Sequence, residues 1–152
     1  MTRTRPFLVF DRVRWADVDL VGIMRFSAFT RLIELAEQEL MREAGIPFSE
    51  LVNEPTMWLP RRHLEVDYFA PVRIDDELTL VTHVSRIGDT SLTINLDVRS
   101  ASGWTLVASA AMVIVCVTKS TFTKRSLPVE VRDALTPFLM SVEEARSLAA
   151  PR

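Results

Sequence analysis

The sequence predicts an α+β fold, an antiparallel β-sheet wrapped around one long central α-helix. Two observations carry this. Residues 27–44 form a single stretch of clear helical periodicity, and strand-like segments stand before and after it, one ahead and four behind. Strands arriving in runs, and not in alternation with helices, argue for α+β over α/β. At 152 residues the chain is the size of one domain, expected over 1–152, and can bury a sizeable core.

The elements follow in order. Residues 7–15 are β-rich. In the helix, Phe29, Leu32, Ile33, Ala36, Leu40 and Met41 recur at steps of mostly three and four, with Glu34, Glu37, Gln38, Arg42 and Glu43 mostly between them. Ser27 is the expected N-cap, and Gly45 followed by Ile46 and Pro47 is the stop. Arg62, Leu64, Val66 and Tyr68 alternate with His63, Glu65 and Asp67, which predicts a half-buried strand ending near Pro71. Residues 77–87 form a third strand, a turn over 87–90 follows, and residues 92–99 alternate most cleanly of all. Residues 104–118 are apolar on both faces, so this strand is expected at the centre of the sheet with its outer face covered as well. A second copy of the chain is the simplest cover, hence an expected homo-oligomer, a homodimer or dimer of dimers. A basic loop over 119–125 leads to a helical tail, 128–149, split by Pro137.

Composition excludes much. Eighteen basic residues face 20 acidic ones, net −2, which removes most of the case for a nucleic-acid partner. The four glycines are each at least 15 positions apart, so no dinucleotide or Walker loop can be written, nor a G-x-S-x-G elbow. His63 and His83 stand too far apart to make H-E-x-x-H, and a single cysteine excludes an intramolecular disulfide and a multi-cysteine zinc site. The apolar start is too short for a signal peptide, and the longest apolar run, 107–117, is too short to span a bilayer as a helix. A cytoplasmic location, without membrane association, is expected. The chemistry must therefore run largely on carboxylates and backbone.

One loop has the right parts. Asp17 and Asp19, at i and i+2, lead into the start of the long helix, whose free N–H groups and partial positive charge favour an anion. An oxyanion developing on a carbonyl would be stabilised there while a carboxylate attacks, or activates water against, the same carbon. Gly22 lets the backbone turn tightly beside a ligand. The plainer reading is a solvated turn whose acids complement the helix dipole. A metal site is weaker still, since a lone D-x-D supplies too few ligands.

Trp15-Ala16-Asp17-Val18-Asp19-Leu20-Val21-Gly22-Ile23-Met24 resembles the loop of the 4-hydroxybenzoyl-CoA thioesterase family, a hotdog fold in which D-x-D-x-x-G-x-V precedes the central helix. Leu64 to Pro71 with Asp76-Glu77-Leu78 is similar to that family's I-D-Y-x-x-P…D-E-L strand pair, and Arg86-Ile87-Gly88-Asp89-Thr90-Ser91-Leu92 to R-I-G-x-S-S-L. Val115-Cys116-Val117 followed by Lys124-Arg125-Ser126-Leu127-Pro128 resembles the ending of the Tol-Pal-associated acyl-CoA thioesterase branch. The likeness covers residues 7–136.

The resemblance implies an acyl-CoA thioester hydrolase in which Asp19 is the catalytic carboxylate, as nucleophile or general base, and the backbone N–H of Phe26 polarises the thioester carbonyl. Asp17 then shapes the loop. No metal or cofactor is implied, CoA being part of the substrate, and an acyl-carrier-protein ester shares the same pantetheine arm. The family's usual Tyr and His or Tyr after the loop are Arg25 and Phe26 here, so Phe26 can act only through its backbone. Arg25 is a candidate for the acyl pocket or a substrate carboxylate, against an ordinary exposed role. CoA phosphates call for basic residues at the pocket mouth. The candidates are Arg61, Arg62, Arg86, Lys119, Lys124 and Arg125, each otherwise a solvated charge. Met57, Trp58 and Leu59 can line an acyl pocket or simply pack. His63, His83 and Cys116 read as structural residues. Two alternatives stay open: a non-catalytic acyl-CoA- or CoA-binding module, and a hotdog hydratase or dehydratase, for which no histidine lies within 30 residues of Asp19.

Overall fold

The structure, a computed structural model, describes residues 4–151; residues 1–3 and 152 of the expected 1–152 domain lie outside the described residues. The main elements are β1 (Phe7–Arg12), α1 (Phe29–Glu43), α2 (Phe48–Leu51), β2 (Met57–Trp58), β3 (Arg61–Tyr68), β4 (Glu77–Ile87), β5 (Ser91–Ser100), β6 (Leu106–Val115), β7 (Val117–Thr118), α3 (Val129–Leu135) and α4 (Val142–Ala149). Five strands form one antiparallel sheet in the order β1-β4-β5-β6-β3, and β2 pairs with β7 apart from it. The sheet wraps α1, the hotdog arrangement expected.

Period-two alternation decides which side chains meet the helix. Leu78, Leu80 and Val84 of β4, Leu92, Ile94, Leu96 and Val98 of β5, and Ala108, Ala110, Met112 and Ile114 of β6 face α1. They enclose Phe29, Leu32, Ile33, Ala36, Leu40 and Met41, the apolar stripe read from the sequence. Gly45 ends the helix at φ +80°, with the Ile46 N–H donating back to the Met41 carbonyl (3.0 Å).

Several expectations need correction. β1 stops at Arg12, and residues 15–17 form a 3-10 turn, because Val13 leaves the ladder to pair with Asp75 and Asp76. Ser27 is not an N-cap: a 3-10 turn over 26–28 precedes α1, and no side chain caps either start. β3 is not half-buried. It is an edge strand in which only Val66 is partly covered.

The last long strand is β6, interrupted at Cys116 before β7, and it lies second from the edge while β5 holds the centre. Part of the sheet's outer face is covered by the chain itself. α4 and the 3-10 turn over 136–138 pack on β4, and Arg146 of α4 makes two hydrogen bonds to Asp97 of β5 (2.7 and 3.0 Å). Beneath this cover His83 is 3% exposed and neither ring nitrogen has a partner. No helix among the described residues is long and apolar enough to cross a membrane.

Candidate active site

The loop between β1 and α1 is built on Asp17. Its carboxylate is buried and accepts from Arg31 Nε (3.0 Å) and Nη2 (2.5 Å) on α1, and from the Arg14 N–H (2.9 Å). Arg31 Nη1 also reaches Asp11 at the end of β1 (2.5 Å). Burial pushes the Asp17 carboxyl up, but the bonds from Arg31 and Arg14 more than offset it, holding the group below the usual carboxylate range. A bidentate Arg–carboxylate pair fixes orientation as well as charge. Asp17 thus bolts the loop to the helix, its carbonyl taking the Arg25 N–H as well (2.9 Å).

With Asp17 occupied, Asp19 is left exposed at a hairpin tip. The Gly22 N–H donates to the Asp19 carbonyl (2.9 Å), the Asp19 N–H to the Ile23 carbonyl (3.0 Å), and Val18 bridges Met24. This pattern is a tight turn closed by a glycine in the left-handed region, φ +82° at Gly22. A Cβ on Gly22 would come no nearer than 3.6 Å to Arg73, so backbone conformation, and not space, selects glycine. The Val21 N–H holds one Asp19 carboxylate oxygen (2.8 Å).

The head of α1 faces the same space. Phe26 and Ser27 open a 3-10 turn, where the helical ladder supplies their N–H groups no acceptor. No side chain caps this start. Tyr68 of β3 clamps this end, its hydroxyl donating to the Phe26 carbonyl (3.1 Å) and its ring meeting Phe29 edge-on at 5.1 Å. Asp19, Arg25, Phe26, Phe29 and Tyr68, with residues 69–72 opposite, line one cleft of about 570 Å³.

The predicted residues therefore divide. Asp19, Arg25 and Phe26 come together, and Gly22 shapes the turn beside them. Arg62, Arg86, Lys119, Lys124 and Arg125 do not line this cleft within the single chain. Lys119 and Arg125 stand at the far end of β3, where Lys119 Nζ lies 3.9 Å from the Trp58 ring centroid and Arg125 reaches Thr56 Oγ1 (3.0 Å). Arg62 is exposed at that same end of β3, Lys124 is exposed beside Arg125 in the chain, and Arg86 is exposed near the end of β4. Cys116 is buried, with its thiol pushed up by burial, and burial depresses His83 to about 4. Among the described residues no three His, Cys, Asp or Glu side chains are placed to hold a metal ion together.

Sequence reading missed two anchors. Arg31 is a cation near the helix start, where a cation is unfavourable unless paired; that misplacement was the available signal. Tyr68, the chain's single tyrosine, was read only as a strand position.

The model of the thioesterase-like superfamily matches residues 13–137. The acyl-CoA thioester hydrolase YbgC of Escherichia coli is 29% identical over 117 residues, covering 77% of this chain and 86% of the relative. A 1,4-dihydroxy-2-naphthoyl-CoA hydrolase of Nostoc punctiforme is 27% identical over 119 residues, 78% of this chain and 79% of the relative. Among solved structures, a 1,4-dihydroxy-2-naphthoyl-CoA thioesterase from Synechocystis superposes with a TM-score of 0.81 at 22% identity, covering 86% of this chain and 95% of that one.

Proposed function

The chain belongs to the thioesterase-like superfamily, and from that premise we propose that it hydrolyses an acyl-CoA thioester to the free acid and CoA, with Asp19 as the catalytic carboxylate. The observation that carries this reading is that Asp19 and the uncapped start of α1 share one cleft. With the thioester carbonyl oxygen at the Phe26 N–H, the carbonyl carbon becomes electrophilic and the tetrahedral oxyanion is stabilised where it forms. Asp19 either takes a proton from the attacking water or attacks directly. In the first case collapse expels CoA thiolate, which receives that proton. In the second an acyl–Asp19 anhydride forms as thiolate leaves, and water then cleaves it. The reaction as proposed draws only on this carboxylate, backbone donors and water, and an acyl-carrier-protein ester is an alternative substrate.

The working unit is proposed to be a homodimer joined through β3. An eight-residue edge strand left unpaired exposes a row of backbone donors and acceptors. Its charges are self-complementary. Pairing antiparallel about the strand's middle sets Arg62 of one copy against Asp67 of the partner subunit. The same pairing carries the Lys119–Arg125 end of one chain toward the Asp19 cleft of the other, which would supply cations for the CoA phosphates.

The test is thiol release from short, long and aromatic acyl-CoAs, with wild type beside Asp19→Asn. We expect turnover in wild type and a loss of about 10²-fold or more in the variant, a size in keeping with removal of a general base. Activity surviving in a folded Asp19→Asn would remove Asp19 from the mechanism. Saturable CoA-ester binding without turnover would point to a binding module.

A further inference from the structure

Past the Asp19 cleft, which reaches Phe29 and Tyr68, two more cavities follow along the chain's α1 and β3, the nearer one starting at Thr30 and Leu64. The first, about 490 Å³, is lined by Ile33, Glu34, Glu37, Leu64 and Met112 among others. The second, about 360 Å³, lies between α2 and β2, and apart from Arg61 its walls are apolar, with Leu51, Met57, Trp58 and Phe122 among them. Two residues, Phe48 and Arg61, belong to both cavities and form the wall between them. Arg61 Nη2 donates to Glu37 Oε1 (2.5 Å), and its guanidinium carbon lies 5.5 Å from the Phe48 ring centroid.

This ion pair is poorly accounted for by stability. The Glu37 side chain is 3% exposed, and burial pushes its carboxyl above the usual range despite Arg61. The Arg61 side chain is 44% exposed, so attraction across the pair is damped by solvent while the carboxylate still bears the cost of burial. Apolar residues here would, however, let the two cavities merge or would fill them. What the charged pair uniquely supplies is a rigid polar partition, anchored on the helix and stacked on Phe48, at the mouth of an apolar chamber.

We propose that the Arg61–Glu37 pair is the partition that limits the acyl pocket and sets the longest acyl chain the enzyme accepts. The proposal rests on the thioesterase reading above. In the intact protein an acyl chain lying along the α1–β3 crevice stops at Arg61, since entering the chamber would push methylenes past a charged guanidinium. Removing the partition joins the chamber to the pocket and lets the tail reach Trp58.

The experiment compares kcat/KM over saturated acyl-CoAs from acetyl to palmitoyl. It uses wild type, Glu37→Gln/Arg61→Ala and Glu37→Gln/Arg61→Met, all folded by circular dichroism. Both double variants avoid leaving Glu37 charged and unpaired. Each methylene newly buried is worth about fourfold in binding. The alanine variant should therefore shift preference toward longer chains by roughly tenfold or more once two or three methylenes enter. The methionine variant, which keeps the bulk but not the charge, should fall between wild type and the alanine variant, because methylenes can slide past a flexible thioether. Should the alanine variant not fold, Phe48→Ala opens the same wall from its other side.

A second readout is tryptophan emission titrated with palmitate, because Trp58 lines the chamber. Trp58 and Phe122 are also open to solvent in wild type, so the response should be present there and should move to lower palmitate in the opened variant. An unchanged chain-length profile with the same tryptophan titration in both proteins overturns the partition while leaving the thioesterase reading intact. No thiol release from any ester, with the tryptophan titration moved to lower palmitate in the opened variant, overturns the thioesterase reading while the partition stands.

Discussion

Replacing His83 with leucine should make the protein more stable, and increasingly so as the solution is acidified. His83 lies on the outer face of β4, 3% exposed, with both ring nitrogens unpartnered and the side-chain Oδ1 of Asn95, beside it in register, equally so. Burial depresses the imidazole from 6.5 to about 4, with Asp97 on β5 pulling it up and Arg146 on α4 pushing it down. Between these values the unfolded chain binds a proton that the folded chain does not, so stability rises with pH across this window and is lost as pH falls through it. Above 6.5 the group is neutral in both states and contributes no slope.

At about 1.36 kcal/mol per unit, the whole window is worth about 3 kcal/mol, of which about 2.5 kcal/mol is spent by roughly pH 4.5. Leucine also removes two unsatisfied polar atoms, a gain of about 1–3 kcal/mol at neutral pH. The assay is urea unfolding of wild type and His83→Leu at about pH 7.5 and about pH 4.5, taking the difference between the two proteins so that the shared carboxylates cancel. The gap should widen by about 2–3 kcal/mol on acidification. A gap that stays constant between the two pH values would refute the reasoning, because it would mean His83 protonates equally well in the folded state.

Arg31→Met leaves Asp17 buried with only a backbone donor, and should cost about 3 kcal/mol in a urea midpoint series while lowering turnover through the loosened loop. Gly22→Ala forces a side chain to φ +82°, at about 1–2 kcal/mol. Melting temperature and thiol release should both fall, and Gly22→Asn should recover part of each. Arg62→Glu sets like charges against Asp67 twice in a two-fold dimer. At about 1 kcal/mol per contact this weakens association roughly thirtyfold by sedimentation, and adding Asp67→Arg should restore it.

What the sequence made legible was whatever is decided by neighbours along the chain. α1 was visible because its stripe from Phe29 to Met41 follows the helical period, and its end because Gly45 and Pro47 act locally. β5 was visible because one face meets the core and the other does not. The helix start was misread because Ser27 is a good cap by type, whereas the 3-10 turn there is held by Tyr68, 42 residues from Phe26 in the chain. Burial of β3 was overestimated because being an edge strand is a property of the whole sheet. In the loop, the spacing of D-x-D displays two acids, and only the family resemblance distinguishes them; the spacing does not say why they differ. The physical cause is Arg31 reaching back from the helix to claim Asp17, which leaves Asp19 as the acid at the cleft.

The tail laid across the back of the sheet has a consequence for how a second copy of the chain could meet it. α4 occupies the outer face of β4 and is tethered to β5 through Arg146 and Asp97. A second sheet stacked flat on that face would first have to peel the helix away and strand Asp97 beside a single remaining arginine, Arg99. The chain thus carries its own spacer. It leaves the β3 rim open while closing off layering over β4.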